Sequence, residues 1–107
     1  MTIAYRTKRP DPLMKRIGTA LKPYSDAHPE ADIELYRQNN VSVRIRILDQ
    51  DFRGKSLVER ETEVWPLFDG LSEDDVADVT MLLLLTPEEK EQSLASFEFD
   101  HPTKSRI

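Results

Sequence analysis

The sequence of 107 residues predicts one two-layer α+β domain with the element order α-β-β-α-(α)-β-α, in which helices cover one face of a three-stranded mixed sheet. Three observations support this fold class. Residues 32–36 and 41–47 alternate apolar and polar side chains, as the two strands of a hairpin do. Helix-capping signals occur at several places along the chain, and an apolar run over residues 79–85 lies between two of them.

The first helix is expected to begin with Asp11 as its N-cap and Pro12 at its first position. Apolar residues then recur at helical spacing from Leu13 to Tyr24. The Lys22-Pro23 step predicts an end or a kink, because proline disfavours a helical conformation in the residue before it. Residues 25–31 are therefore interpreted as a loop.

The register of the hairpin is predictable, because the apolar residues of both strands must face the same side of the sheet. A three-residue loop over residues 38–40, with Asn40 in the left-handed conformation, meets this condition. The resulting pairs are Ile33 with Ile45, Leu35 with Val43, Asp32 with Arg46, and Glu34 with Arg44. Both arginines then have acidic partners within the sheet.

The second half of the chain contains three patterns in which an acidic residue follows a capping residue by three positions: Ser56 with Glu59, Ser72 with Asp75, and Thr86 with Glu89. Pro66 should break the helix that begins at Ser56. The apolar run over residues 79–85 is predicted to be a strand. It is also consistent with a buried helix that begins at Ser72.

Composition and charge are typical of a small cytoplasmic domain. The chain has no cysteine, and no segment is as apolar as a secretory signal or a membrane span. The net charge is −5, yet residues 1–25 contain six basic residues and one acidic residue. We divide the chain into a basic flexible arm (1–11), a single domain (12–96) and a C-terminal tail (97–107). The acidic body disfavours nucleic-acid binding, which depends on contacts to phosphates.

Two motifs near the second strand fall short of known ligand sites. Gly54-Lys55-Ser56 matches the end of a P-loop, but Asp49 stands where that loop needs a glycine. Asp49, Asp51 and Gly54 match three positions of an EF-hand loop. However, Arg60 stands at its twelfth position, where a glutamate belongs. Neither a nucleotide site nor a calcium site is predicted.

The other polar residues form no recognisable catalytic or metal centre. Glu59 with Glu63, and the carboxylates of residues 73–78, lack a nucleophile or a neutral ligand beside them. Both histidines, His28 and His101, stand beside prolines in expected loops, where a single histidine is usually a surface residue. The chain is therefore predicted to be no enzyme, to bind no metal and to need no cofactor.

Two motifs carry a family resemblance. Phe52-x-Gly54-Lys55-Ser56-Leu57-Val58-x-Arg60 follows the second strand, and the third strand runs into Thr86-Pro87-Glu88-Glu89. With the preceding helix and hairpin, these features over residues 13–92 resemble the BolA family. The resemblance implies a BolA-like fold, related in element order to the class II KH module. The chain lacks the GXXG clamp that a KH module uses to bind RNA.

The BolA family is associated with iron–sulfur cluster handling alongside monothiol glutaredoxins, and with transcriptional regulation. Its shared cluster is ligated by histidine, whereas Glu61 and Asp78 stand at the family's histidine positions in this sequence. A carboxylate is a hard ligand and suits such a cluster poorly. The resemblance therefore implies a divergent member that assembles no iron–sulfur cluster with a glutaredoxin.

The favoured interpretation is a small non-enzymatic interaction or regulatory protein, whose partner is another protein or a second copy. The expected docking surface is the back of the sheet, formed by Tyr36, Leu48, Leu82 and Leu84. This assignment requires the alternate residues of the third strand to face the core: Val79, Met81, Leu83 and Leu85. The C-terminal segment with Leu94, Phe97 and Phe99 is an alternative cover for that face.

The alternative function is a weak nucleic-acid-binding regulator. It would use the basic N-terminal arm together with Arg53, Lys55 and Arg60.

Overall fold

The computed structural model describes residues 2–102 as a four-stranded mixed sheet with packed helices, which confirms the α+β class. The elements are β1 (Thr2–Tyr5), α1 (Pro12–Ala27), β2 (Asp32–Asn39), β3 (Ser42–Leu48), α2 (Leu57–Val64), α3 (Glu73–Ala77), β4 (Val79–Leu85), α4 (Pro87–Lys90) and α5 (Leu94–Asp100). Two short 3-10 turns, Gln50–Phe52 and Trp65–Phe68, lie on either side of α2. The strand order is β1-β2-β3-β4. The inner pair is antiparallel and each outer strand is parallel to its neighbour.

The sheet has four strands rather than the predicted three, because the N-terminal segment pairs with β2. Ile3 lies beside Ile33, and the Arg6 amide donates to the Leu35 carbonyl at 2.8 Å. The Tyr5 side chain lies against Gly18 of α1, where a β-carbon would come within 1.8 Å of the tyrosine oxygen. The arm predicted over residues 1–11 thus contains an edge strand.

Helix α1 begins as predicted, with the Asp11 carboxylate accepting from the Met14 amide at 2.9 Å. It does not end at Lys22 but continues through Pro23 to Ala27. Pro23 has no N–H, so the helix lacks one hydrogen bond there. Packing offsets this loss, because the next residue, Tyr24, is buried and its ring centroid lies 6.1 Å from that of Phe52.

The hairpin register differs from the predicted one by two residues. Ile33 pairs with Ile47 and Leu35 with Ile45, and the ladder shifts between Arg37 and Asn39. Asn40 does not adopt the left-handed conformation; instead, the Asn39 side chain accepts from the Val41 amide at 2.9 Å. This side-chain turn replaces the backbone turn that we expected.

A two-residue shift leaves every side chain on its predicted face, because side chains alternate with a period of two. The five hairpin residues predicted for the core are all fully buried: Ile33, Leu35, Val43, Ile45 and Ile47. The charged pairs change, however. Glu34 now lies opposite Arg46, and their side chains form an ion pair of 2.8 Å.

Strand β4 confirms the strand assignment of residues 79–85, but the predicted facing of its leucines is wrong. Val43 pairs with Val79 and Arg44 with Met81, so Thr80 is an extra residue in the ladder. This bulge reverses the faces beyond it, and Leu82 and Leu84 therefore lie beside Ile45 and Ile47 and face the helices.

Helices lie on both faces of the sheet rather than on one. Helices α1 and α2 cover the main core, whereas α5 covers part of the back. Phe99 of α5 is fully buried, its ring lies 4.8 Å from that of Tyr36, and its carbonyl accepts from the Tyr36 hydroxyl at 2.7 Å. The alternative that the C-terminal segment covers this face is confirmed for Phe99, while Leu94 and Phe97 stay exposed.

The predicted caps of the second half are confirmed: complete capping boxes start α2 at Ser56 and α4 at Thr86, and Ser72 caps α3. Pro66 lies in the 3-10 turn that follows α2. Of the predicted tail, residues 103–107 lie outside the described residues. No helix within residues 2–102 has the length and apolar character that a bilayer crossing requires.

Candidate functional site

A groove of about 280 Å³ runs along β4, which has no strand neighbour on its outer side within the described sheet. Its floor is formed by residues 82–85, its one wall by Leu57 and Glu61 of α2, and its other wall by Ser93 and Ala95. This groove is not predictable from the sequence, because its three segments are distant from one another along the chain.

The backbone of β4 offers free hydrogen-bonding groups to this groove. The Leu85 carbonyl points toward β3, where it accepts from the Asp49 amide at 2.9 Å. Since successive residues of a strand point their N–H and C=O groups to opposite sides, those of Leu82 and Leu84 point outward. The Leu84 carbonyl accepts from Arg60 Nη1 at 2.9 Å. Within residues 2–102 the N–H and C=O groups of Leu82 have no hydrogen-bond partner, whereas Leu84 is only 3% exposed and the edge beside it is covered by Arg60.

Apolar and acidic side chains surround these backbone groups. Leu57 of the groove wall is 64% exposed, and Val58, which follows it outside the groove, is 72% exposed. Glu61 accepts a hydrogen bond of 3.3 Å from Trp65 Nε1 and forms no ion pair within residues 2–102. The groove along β4 is therefore mainly apolar, and it carries one carboxylate, Glu61, that forms no ion pair within residues 2–102.

The four residues predicted for a docking surface do not form one. Leu84 is buried in the main core and Leu82 packs against it, because the Thr80 bulge turns both inward. Tyr36 and Leu48 lie on the other face and are buried as well, Tyr36 beneath α5. The back of the sheet is therefore not the exposed surface that the sequence predicts.

The three residues predicted for anion binding are each paired with a carboxylate. Arg53 Nη2 lies 2.5 Å from Glu88 Oε1, and Lys55 Nζ lies 2.5 Å from Glu63 Oε1. Both ion pairs lie at the surface. Arg60 is buried, so it offers no exposed charge to a nucleic acid. It donates to the Leu84 and Lys55 carbonyls and to Glu89, and its guanidinium lies 5.5 Å from the Phe52 ring centroid.

Two of the carboxylates considered for catalysis, Glu59 and Asp75, have structural partners instead. The Glu59 carboxylate caps α2 by accepting from the Ser56 amide at 2.9 Å, and this hydrogen bond lowers its pKa. Asp75 binds the Arg16 guanidinium through both oxygens, at 2.8 and 2.9 Å, which lowers the pKa of Asp75.

A polar cluster that sequence reasoning missed lies where α1 ends beside the turn after β3. His28 Nδ1 lies 2.8 Å from Asp51 Oδ2 and 3.1 Å from Asp49 Oδ2. The Tyr24 hydroxyl donates to Asp49 Oδ2 at 2.5 Å. Burial and the neighbouring Asp49 carboxylate raise the pKa of Tyr24 well above its ordinary value. The sequence showed the two aspartates as a motif, but it gave no sign that His28 lies beside them.

Comparisons of the chain with protein-family models, with curated proteins and with solved structures found no match.

Proposed function

We propose that this protein is a non-enzymatic interaction protein with a BolA-like fold, and that it binds an extended segment of a partner protein along the free edge of β4. The observation that carries the proposal is the groove in which the N–H and C=O groups of Leu82, unpaired within residues 2–102, lie between a wall of Leu57 and Glu61 and a wall of Ser93 and Ala95. A segment that joins a sheet as an additional strand gains affinity from main-chain hydrogen bonds and specificity from alternate side chains.

Charge favours a partner protein over a second copy as the occupant. Pairing two copies through β4 would bring Glu61 near its own counterpart and would join two bodies of net charge −5. Like charges oppose such an association. A basic side chain in a partner segment would instead complement Glu61. The expected ligand is an extended, mainly apolar segment with a lysine or arginine.

The family part of the proposal is supported by the order of elements. From α1 to α4 the helices and strands follow one another in the order that the BolA resemblance implies, with β1 and α5 as additions. Glu61 and Asp78 stand at the positions of the family's histidines. A protein with carboxylates there would keep the interaction role and lose the histidine-ligated cluster.

Nucleic-acid binding is the less favoured function. It would require Arg53 and Lys55 to leave Glu88 and Glu63, and Arg60 to leave the interior. No observation on the described residues favours it over a protein partner.

A selected peptide tests the proposal. We would select binders to the wild-type protein from a displayed library of random twelve-residue peptides (about that length spans a strand and its flanks). Fluorescence anisotropy would then compare two neighbouring variants on α2. Leu57→Asp, in the groove wall, should weaken binding by at least about tenfold, a loss of about 1.4 kcal/mol. Val58→Asp, outside the groove, should bind like the wild type.

Amide chemical shifts provide a second readout, and Leu82 and Leu84 should respond to the bound peptide. The proposal is overturned if the library yields no binder, if both variants bind equally well, or if the shifts map elsewhere. A dimer in sedimentation equilibrium that Leu57→Asp dissociates would also overturn it, because a second copy would then occupy the groove.

A further inference from the structure

The cluster of His28, Asp49 and Asp51 has the composition of a divalent metal site. It presents one imidazole nitrogen and two carboxylate oxygens, and these three atoms lie within 4.8 Å of one another. Zinc and related first-row divalent ions accept this mixture of nitrogen and oxygen ligands. For a metal–ligand distance of about 2.1 Å, neighbouring ligand atoms lie roughly 3.0–3.4 Å apart. The separations of 2.8 and 3.1 Å are close to this range.

The donors are held in place by surrounding contacts. The Tyr24 ring stacks on His28, with centroids 4.0 Å apart, and the Tyr24 hydroxyl donates to Asp49. The other oxygen of Asp49 accepts from the Asp51 amide at 2.9 Å. The Asp49 side chain is only 2% exposed, so its position is fixed by packing as well. Contacts of this kind to ligating groups orient them and raise metal affinity.

The charge balance of the cluster also favours a cation. Two carboxylates converge on a single ring nitrogen, which has one hydrogen to offer to both. Within the cluster, even a protonated imidazole would balance only one of the two carboxylates. A divalent ion bound by the ring nitrogen and both carboxylates would balance the two charges.

From this geometry we propose that His28, Asp49 and Asp51 bind a divalent first-row transition ion of the Zn²⁺ type, with Tyr24 as a positioning residue. The site is separate from the β4 groove, since no residue is common to both. It joins the end of α1 to the turn after β3, so the bound ion would link these two segments.

Titration calorimetry with Zn²⁺ on chelator-treated protein tests the site. Wild-type protein should bind one ion per chain. His28→Ala and Asp51→Asn should each abolish this binding, and Tyr24→Phe should weaken it by about 10–100-fold. Asp51 is 64% exposed, so its variant should fold normally.

His101→Ala is the matched control. This second histidine is exposed, lies beside Phe97 and is not part of the cluster, so its removal should leave Zn²⁺ affinity unchanged. The proposal is overturned if the wild type does not bind Zn²⁺, if His28→Ala binds as tightly as His101→Ala does, or if Ca²⁺ and Mg²⁺ compete equally well with Zn²⁺.

Discussion

Two buried arginines hold parts of the chain that are far apart in sequence. Arg60 joins α2 to the capping box of α4 through Glu89, at 2.6 Å. Arg46 joins β3 to α5 through Asp100 and to β2 through Glu34, at 2.9 and 2.8 Å. Both guanidiniums are almost fully buried, whereas their carboxylate partners remain partly exposed. The carboxylates can therefore be titrated without opening the core.

The two carboxylates predict how stability depends on pH. The hydrogen bond from Arg60 lowers the pKa of Glu89 from 4.5 to about 2, and that from Arg46 lowers the pKa of Asp100 from 3.8 to about 2. The stabilisation is thus complete above pH 5 and should be lost as the pH falls toward 2. Glu89→Gln and Asp100→Asn should each reduce the free energy of unfolding at pH 7 by about 1 kcal/mol, and by much less near pH 2.

Urea denaturation at a series of pH values measures this dependence. Glu91→Gln is the control, since Glu91 lies next to α4 and forms no ion pair within the part of the chain that the structure describes. A destabilisation of Glu89→Gln or Asp100→Asn that stays constant from pH 7 to pH 2 would contradict the assignment.

At the residue scale, the sequence predicts capping residues and core residues well, because both depend on local patterns. Asp11, Ser56 and Thr86 cap as expected, since a cap needs only a side-chain oxygen and an amide two or three residues later. Thr80 was not predictable as a bulge. The sequence of a strand does not indicate which of its residues lacks a partner across the ladder.

At the scale of elements, α5 makes the back of the sheet part of the core. Phe99 is fully buried, and Arg46 lies with its guanidinium 4.6 Å from the Phe99 ring centroid. The neighbouring Phe97 points outward and is 65% exposed. One short helix thus carries two phenylalanines in opposite environments.

This contrast gives a matched pair of variants. Phe99→Ala should lower the free energy of unfolding by about 3–5 kcal/mol, because it leaves a cavity against Tyr36 and Arg46. Phe97→Ala should change it by less than about 0.5 kcal/mol. Denaturation midpoints of the two variants decide the matter. Equal effects would mean that α5 does not pack on the sheet in solution.

The sequence did not reveal α5 or β1 as elements of the fold. Helix α5 has seven residues and β1 has four, and such short segments give too few repeats for a periodic pattern. Their places depend on distant contacts, such as Arg6 with Asp100 at 2.9 Å. The longer elements α1, β2, β3 and β4 were recognisable because each carries several turns or alternations.

At the scale of the whole molecule, the candidate groove and the histidine cluster each combine segments that are remote in sequence. The groove uses α2, β4 and the start of α5, and the cluster joins residue 28 to residues 49 and 51. The sequence showed the aspartates and the apolar run separately. Only the packing of α1 on the sheet brings His28 beside the aspartates, and only the packing of α2 brings Leu57 and Glu61 beside the apolar strand β4.

The parallel attachment of both outer strands has a consequence for the order in which the molecule folds. Strands β2 and β3 meet across a short turn, whereas β1 reaches β2 only after α1, and β4 reaches β3 only after α2 and α3. Closing the longer connections costs more chain entropy, so the hairpin should form first and open last.

Native-state hydrogen exchange would record this order as a gradient across the sheet. Amides that bond across the hairpin, such as those of Tyr36 and Arg46, should exchange most slowly, and the amide of Ala4, which faces β2 from β1, should exchange much faster. Protection of Ala4 equal to that of Arg46 would contradict this order. The central pair of strands would then be the last part of the sheet to open, with each half of the chain completing the sheet from its own side.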